Sequence, residues 1–174
     1  RLSCGRGLLE PTLAKLAGLY YMTIRAENGQ GFVTRSSDGL EWEPMRPWAF
    51  DDGTAIEMST TQQRWLVHSD GLWLVYTRKD ASNTDVMRWR APLFMALMDE
   101  KKLSLVRAAE RVAIPLEGDG VRDGKNVEHL GNFHTNPVSR EESLISVGTM
   151  ITARNYAGTV RMARIRWARP NALV

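Results

Sequence analysis

The sequence predicts an all-β fold, a partial β-propeller of about three four-stranded antiparallel blades. Three observations lead there. Two short runs rich in aromatic and β-branched residues, Leu19–Arg25 and Leu72–Arg78, both stop at an arginine. Each follows another apolar run across a tight glycine-containing turn, Ala17-Gly18 in one case and Ser69-Asp70-Gly71 in the other. A weaker third copy runs from Asn132 to Val138, turns at Ser139-Arg140-Glu141-Glu142 and returns over Ser143–Gly148. Aligned at Thr12, Arg64 and Thr135, the first strands stand 52 and 71 residues apart. Such uneven spacing suits propeller blades of about 40 to 50 residues with loop insertions, and is too irregular for a solenoid.

Taken in order, the first unit (8–50) reads as strands near 11–17, 19–26, 30–36 and 42–48, with Asn28-Gly29 as a turn signal. The second (55–116) reads as strands near 62–68, 72–79, 92–98 and 105–114. Its last half, Phe94–Val112, is rich in Ala, Leu, Met, Glu, Lys and Arg, all good helix formers. It is read as two strands nonetheless, because a four-stranded unit needs them there and Asp99-Glu100-Lys101-Lys102 can form the turn. The third unit (128–169) reads as strands near 132–138, 143–149 and 159–168. Three units do not close a ring, since closed propellers have about four to eight blades. The chain starts at Arg1 rather than Met, so the expectation is the C-terminal part, residues 1–174, of a longer, six-bladed ring.

Composition bounds the function. The 174 residues are 43% hydrophobic and 25% charged, enough for one core. No apolar stretch reaches the roughly 18 to 20 residues of a membrane helix, and no membrane partner is expected. Cys4 is the single cysteine, which rules out an internal disulfide and leaves the compartment open. The tail carries Arg154, Arg161, Arg164, Arg166 and Arg169 with no acid among them. Val160, Met162 and Ile165 interleave with these arginines and no nucleic-acid motif accompanies them, so they read as outward residues of a strand, with no nucleic-acid partner. His68, His129 and His134 lack zinc spacing, and no glycine-rich phosphate loop occurs, so neither a metal nor another cofactor is expected.

The chemistry gathers around arginines. A strand-end arginine can grip a carboxylate with two parallel hydrogen bonds. Arg25, Arg78, Arg88 and Arg90 are the candidates, with Arg88 and Arg90 read as sharing a strand face. Within Thr60-Thr61-Gln62-Gln63-Arg64-Trp65, the amides of Gln62 and Gln63 could bind sugar hydroxyls, and Trp65 could stack on a ring or fill the core. The run Arg35-Ser36-Ser37-Asp38-Gly39-Leu40-Glu41-Trp42 looks like an Asp box, with Asp38 one residue late against strict spacing.

The order of these motifs, Glu10-Pro11, Arg25, the Asp-box-like turn, Leu74–Arg78, Met87–Phe94 and Leu130–Phe133, resembles the second half of the sialidase superfamily, bacterial exo-sialidase-like proteins with BNR repeats. The resemblance covers roughly residues 8 to 150. It implies a glycoside hydrolase acting on a terminal acidic sugar, with a carboxylate-bearing carbohydrate as partner. It also implies that Glu10 assists catalysis and that Arg25 and Arg90 hold the substrate carboxylate. The nucleophilic tyrosine of that family is expected where this chain has Phe133, which has no hydroxyl to attack a sugar carbon. The neighbouring His134 is a substitute base. The alternative is a non-catalytic carbohydrate-binding or interaction propeller. This chain by itself is expected to be inactive, because the remaining arginine and the acid/base aspartate of the family would lie upstream.

Overall fold

A computed structural model describes residues 4–174; Arg1 lies outside the described residues. Its regular structure consists of twelve strands in three antiparallel sheets, joined by loops with three single-turn 3₁₀ segments. The first sheet is a meander of β1 (Leu8–Leu16), β2 (Leu19–Ala26), β3 (Gly31–Ser36) and β4 (Arg46–Pro47). The second orders β5 (Arg64–His68), β6 (Gly71–Tyr76) and β7 (Leu93–Asp99). The far edge of β7 is shared by β8 (Ser104–Leu105) and β9 (Arg111–Ile114). The third comprises β10 (His129–Ser139), β11 (Glu142–Met150) and β12 (Val160–Arg166).

The hairpin turns follow from local chemistry. Leu16 pairs with Leu19, so Ala17 and Gly18 form a two-residue loop with φ of 48° and 84°. Positive φ at both central residues marks the turn that matches strand twist, and glycine is the natural second residue. At the start of β3, a Cβ on Gly31 would fall 1.9 Å from Gln63 Nε2, so the close approach of the first and second sheets requires glycine there.

Period-two alternation places the core. In β6, Leu72, Leu74 and Tyr76 face the first sheet and pack with Tyr21, Val33, Trp48 and Trp65. Val75 faces the third sheet with Leu66, Leu93 and Met95, against Leu130, Phe133, Ile145 and Val147. The second sheet is therefore covered on both faces, and its strands read as nearly continuous apolar runs. That covering explains Phe94–Val112. Its helix-forming residues become β7, β8 and β9 because packing on two faces outweighs a preference of a few tenths of a kcal/mol per residue. Asp99 supports the turn by accepting from the Lys101 and Lys102 amides. One 3₁₀ turn, Arg107–Ala109, splits the fourth strand expected near 105–114.

The first strands of the three sheets lie side by side, with Thr12 and Thr135 reaching β5 from either side. The Thr12 hydroxyl donates to the Gln63 carbonyl at 2.9 Å, and the Thr135 hydroxyl to the Trp65 carbonyl at 2.7 Å. Trp65 Nε1 returns a bond to the Thr12 carbonyl at 3.1 Å. Trp65 is buried against Trp48, edge to face at 5.9 Å, so it fills the core and offers no platform for a sugar ring. No helix among the described residues is long and apolar enough to cross a membrane.

The tail strand meets the expectation in part, since Arg164 and Arg166 are exposed with Ile165 between them on the inner face, while Val160, Met162 and Arg161 depart from it. Ala163, Ile165 and Trp167 pack inward, and Val160 and Met162 are exposed. Arg161 shares the inner face and is paired with Glu117 at 2.8 Å and Glu128 at 3.2 Å. The turn after β3 forms with Asp38 in spite of its late position. Ser36 Oγ bonds Asp38 at 2.9 Å, and the Asp38 carboxylate accepts from the Leu40 and Glu41 amides at 2.8 and 2.9 Å.

Candidate functional site

Glu10 sits in a β-bulge. Pairing jumps from Leu9 opposite Arg25 to Thr12 opposite Thr23, so Glu10 and Pro11 together face Ile24. Glu10 has φ of 52°, left-handed, although a residue before proline prefers extended backbone. Such a conformation costs of order 1–3 kcal/mol and turns the side chain off the regular strand direction. The carboxylate thereby meets Arg25, whose Nε donates to Glu10 Oε2 at 2.8 Å. The Arg25 side chain is 9% exposed and that of Glu10 44%.

Two further guanidinium groups join this pair. Arg64, the first residue of β5, donates from Nη2 to Gln62 Oε1 at 2.9 Å, and the Gln62 amide donates in turn to the Phe133 carbonyl at 2.5 Å. Arg90 follows the 3₁₀ turn Met87–Trp89, where Arg88 and Trp89 have φ of 56° and 49°. Arg88 and Arg90 therefore do not share a strand face. Arg88 swings out to Thr60, which accepts at 2.6 Å from Nη2. The buried Asn83 fixes this loop, donating to the carbonyls of Arg78 at 2.8 Å and Ala91 at 2.9 Å.

These groups act on one another through their charges. The Glu10 carboxyl is held below its usual range, first by the Arg25 hydrogen bond, opposed by burial, and then by the charges of Arg25, Arg64 and Arg90. The charged form of Arg90 is disfavoured by burial first and then by Arg88 and Arg25, with Glu10 opposing. Three arginines, Arg25, Arg64 and Arg90, thus act on the Glu10 carboxylate. Arg25 Nη1, Arg64 Nε and Arg90 Nε are buried and have no hydrogen-bond partner among the described residues. Buried donors of this kind are costly unless something accepts from them.

Several expected site residues lie elsewhere. Arg78 ends the hairpin that parallels Arg25, but gives Nε and Nη2 to the two oxygens of Glu110 at 2.9 and 2.7 Å and Nη1 to Asp80 at 3.1 Å. It also lies over the Phe94 ring, 4.3 Å from the centroid. Gln63 is buried and its amide is spent on Thr23, Trp48 and Met58 inside the core, so it has no group left for a sugar hydroxyl. Gln62 acts on the site through Arg64. The Phe133 ring is fully buried between the second and third sheets, and only its carbonyl reaches the cluster, through Gln62. His134, next on β10, is exposed and opposite Ser146. The addition is Arg64. Its signal was present, since it occupies the aligned first-strand position beside two glutamines.

No protein-family model matches the chain, and no curated protein does. Among solved structures, one described as a thermostable family-43 glycoside hydrolase superposes with a TM-score of 0.42 at 13% identity, over 94% of this chain. The chain spans about half of that structure's length, 54%. A likeness of this size assigns neither an activity nor a substrate.

Proposed function

We propose that this chain provides the carboxylate-binding part of a sialidase-like glycoside hydrolase site, acting on a terminal acidic sugar in the whole protein. The observation that carries the reading is the gathering of Arg25, Arg64 and Arg90 around Glu10, each with a buried nitrogen lacking an acceptor among the described residues. Arg25 and Arg90 bind the sugar carboxylate, Arg64 completes the clamp, and Gln62 holds Arg64 in place. Glu10, bonded to Arg25, is ionised at neutral pH and is therefore a poor general acid. As a carboxylate it stabilises the positive charge that develops on the sugar ring, or accepts a proton.

The alternative, a non-catalytic sugar-binding propeller, has one observation in its favour. Phe133, at the place where a nucleophilic hydroxyl is expected, faces the core. Titration of the intact protein with an acidic monosaccharide and with its methyl ester, followed by calorimetry, tests the binding reading. Binding of the acid that falls at least tenfold for the ester supports it. Equal affinity for both, or an Arg90→Ala variant that binds as well as the parent, overturns it. Hydrolysis of an aryl glycoside of the same acid then separates enzyme from binding module.

A further inference from the structure

The strand ends opposite the arginine cluster carry a second concavity. It lies between β12 with its following tail and the β6, β7 and β9 strands, and encloses about 580 Å³. Small-molecule sites fall in the range of about 300–1,000 Å³. Its floor is apolar. Trp73, Met95, Ala163, Ile165 and Trp167 line it and continue into the core between the second and third sheets. Trp73 and Trp167 stand 6.0 Å apart, inclined at 50°, and form two walls of a corner.

The walls are fixed. Asp70 N donates to His68 Nδ1 at 3.0 Å, which leaves the proton on Nε2, and Nε2 donates to the Arg169 carbonyl at 3.1 Å. The His68 ring also packs on Trp167 at 4.5 Å. Trp167 Nε1 donates to Ser143 Oγ at 3.0 Å. Asn171, 1% exposed, clasps the tail to the β5–β6 turn by donating to the Val67 carbonyl at 3.0 Å and accepting from the Ser69 amide at 2.9 Å. A pocket that need not be ordered on binding spares its ligand that cost.

The lining is positive. It includes Arg111, Arg164, Arg166 and Arg169 against one acid, Asp70. Arg164 is paired with Glu142, and Arg169 reaches Asp70 at 3.4 Å with its side chain 80% exposed. Arg111 pairs in register with Met95, so both share the face turned toward the cleft. Its side-chain hydrogen bonds among the described residues go to the carbonyls of Ala108 and Glu110, which leaves its charge uncompensated.

We infer that this cleft binds a small amphipathic anion, with an apolar body of one or two rings against Trp73 and Trp167 and an acid group between Arg111 and Arg169. Charge complementarity selects an acid, and the dry floor selects an apolar body over a polyhydroxylated one. Two aromatic walls favour an aromatic body over an alkyl chain.

The test is calorimetry on the intact protein with four probes: 1-naphthoate, its neutral counterpart 1-naphthalenemethanol, octanoate and octanol. The expected order is naphthoate tightest, each acid about tenfold tighter than its alcohol, and naphthoate above octanoate. An Arg111→Gln/Arg169→Gln double variant, altered only at exposed groups, is expected to lose about tenfold for the acids and to keep its affinity for the alcohols and its melting temperature. Octanoate above naphthoate would assign the cleft to aliphatic acids and overturn the aromatic assignment. Equal affinity of acids and alcohols, unchanged binding in the double variant, or no binding of either acid at millimolar concentration would each overturn the site itself.

Discussion

Arg25 and Glu10 meet across 2.8 Å on adjacent strands, and their bond uses Nε of the guanidinium while Nη1 stays buried without an acceptor among the described residues. Arg78 follows the corresponding hairpin of the second sheet but saturates both oxygens of Glu110 and takes Asp80 as well. Equal sequence positions therefore carry different chemistry, one open and one closed. Arg78→Ala is expected to lower stability by about 2 kcal/mol, because Glu110 loses its two-pronged cation and keeps only the Tyr76 hydroxyl as donor, and to leave acidic-sugar affinity unchanged. Arg25→Ala is expected to weaken that affinity at least tenfold. Denaturant unfolding and calorimetry on both variants check the contrast; loss of affinity in Arg78→Ala would contradict it.

Glu10 contributes to an acid limb of stability. Its folded carboxyl is depressed from the ordinary value of 4.5, so its contribution is fully present above that value and is lost as pH falls through the folded pKa. With the side chain 44% exposed, solvent screening keeps the contribution under about 1 kcal/mol. Glu10→Gln is expected to cost up to about 1 kcal/mol at neutrality, and the two stability profiles are expected to converge as pH falls below about 4.5. Urea midpoints measured across the acid range test this. A gap between variant and parent that stays constant through the acid range would show that Glu10 does not contribute to the limb.

Phe133→Tyr is expected not to create a nucleophile. The ring is fully buried among Leu130, Ile145 and Val147, so a hydroxyl added there would be desolvated at a cost of about 1–3 kcal/mol. The expected readout is a lower melting temperature, about 2–4 °C per kcal/mol for a chain of this size, and no gain in cleavage of an aryl acid glycoside. A gain in turnover would show that the position reaches the arginine cluster.

The tail clasp is open to the same treatment. Asn171→Ala removes acceptors from the Ser69 and Leu173 amides and a donor from the Val67 carbonyl. A cost of about 2 kcal/mol is expected, with faster hydrogen exchange confined to the tail and the β5–β6 turn. Uniform acceleration through all three sheets would instead mean that the clasp holds up the whole fold.

Much of this architecture was legible because the strands obey simple patterns. Leu19–Ala26 and Gly71–Tyr76 carry β-branched and aromatic residues between glycine turns, and both form where the pattern places them. Phe94–Val112 was legible only through the repeat, since its local propensity points to helix and burial on two faces decides otherwise. Site residues were harder to read. Arg88 and Arg90 look like one strand face two residues apart, but left-handed backbone at Arg88 and Trp89 sends Arg88 to Thr60. Gln62 and Gln63 look alike, yet alternation points one to Arg64 and the other into the core. Arg64 is hard to read as a ligand group because its neighbours in the cluster lie 39 residues before it and 26 after it, a proximity that packing between sheets creates.

The middle sheet has a consequence for how sequence change is tolerated. In β11 and β12 one face is more constrained than the other, and alternate positions are freer to drift. In β6 and β7 neither parity is free, because Leu74 and Val75, or Phe94 and Met95, are each locked against a different neighbour. Related chains should therefore diverge fastest along the alternate positions of β12 and slowest along the unbroken run Leu72–Tyr76, whatever ligand they have come to bind.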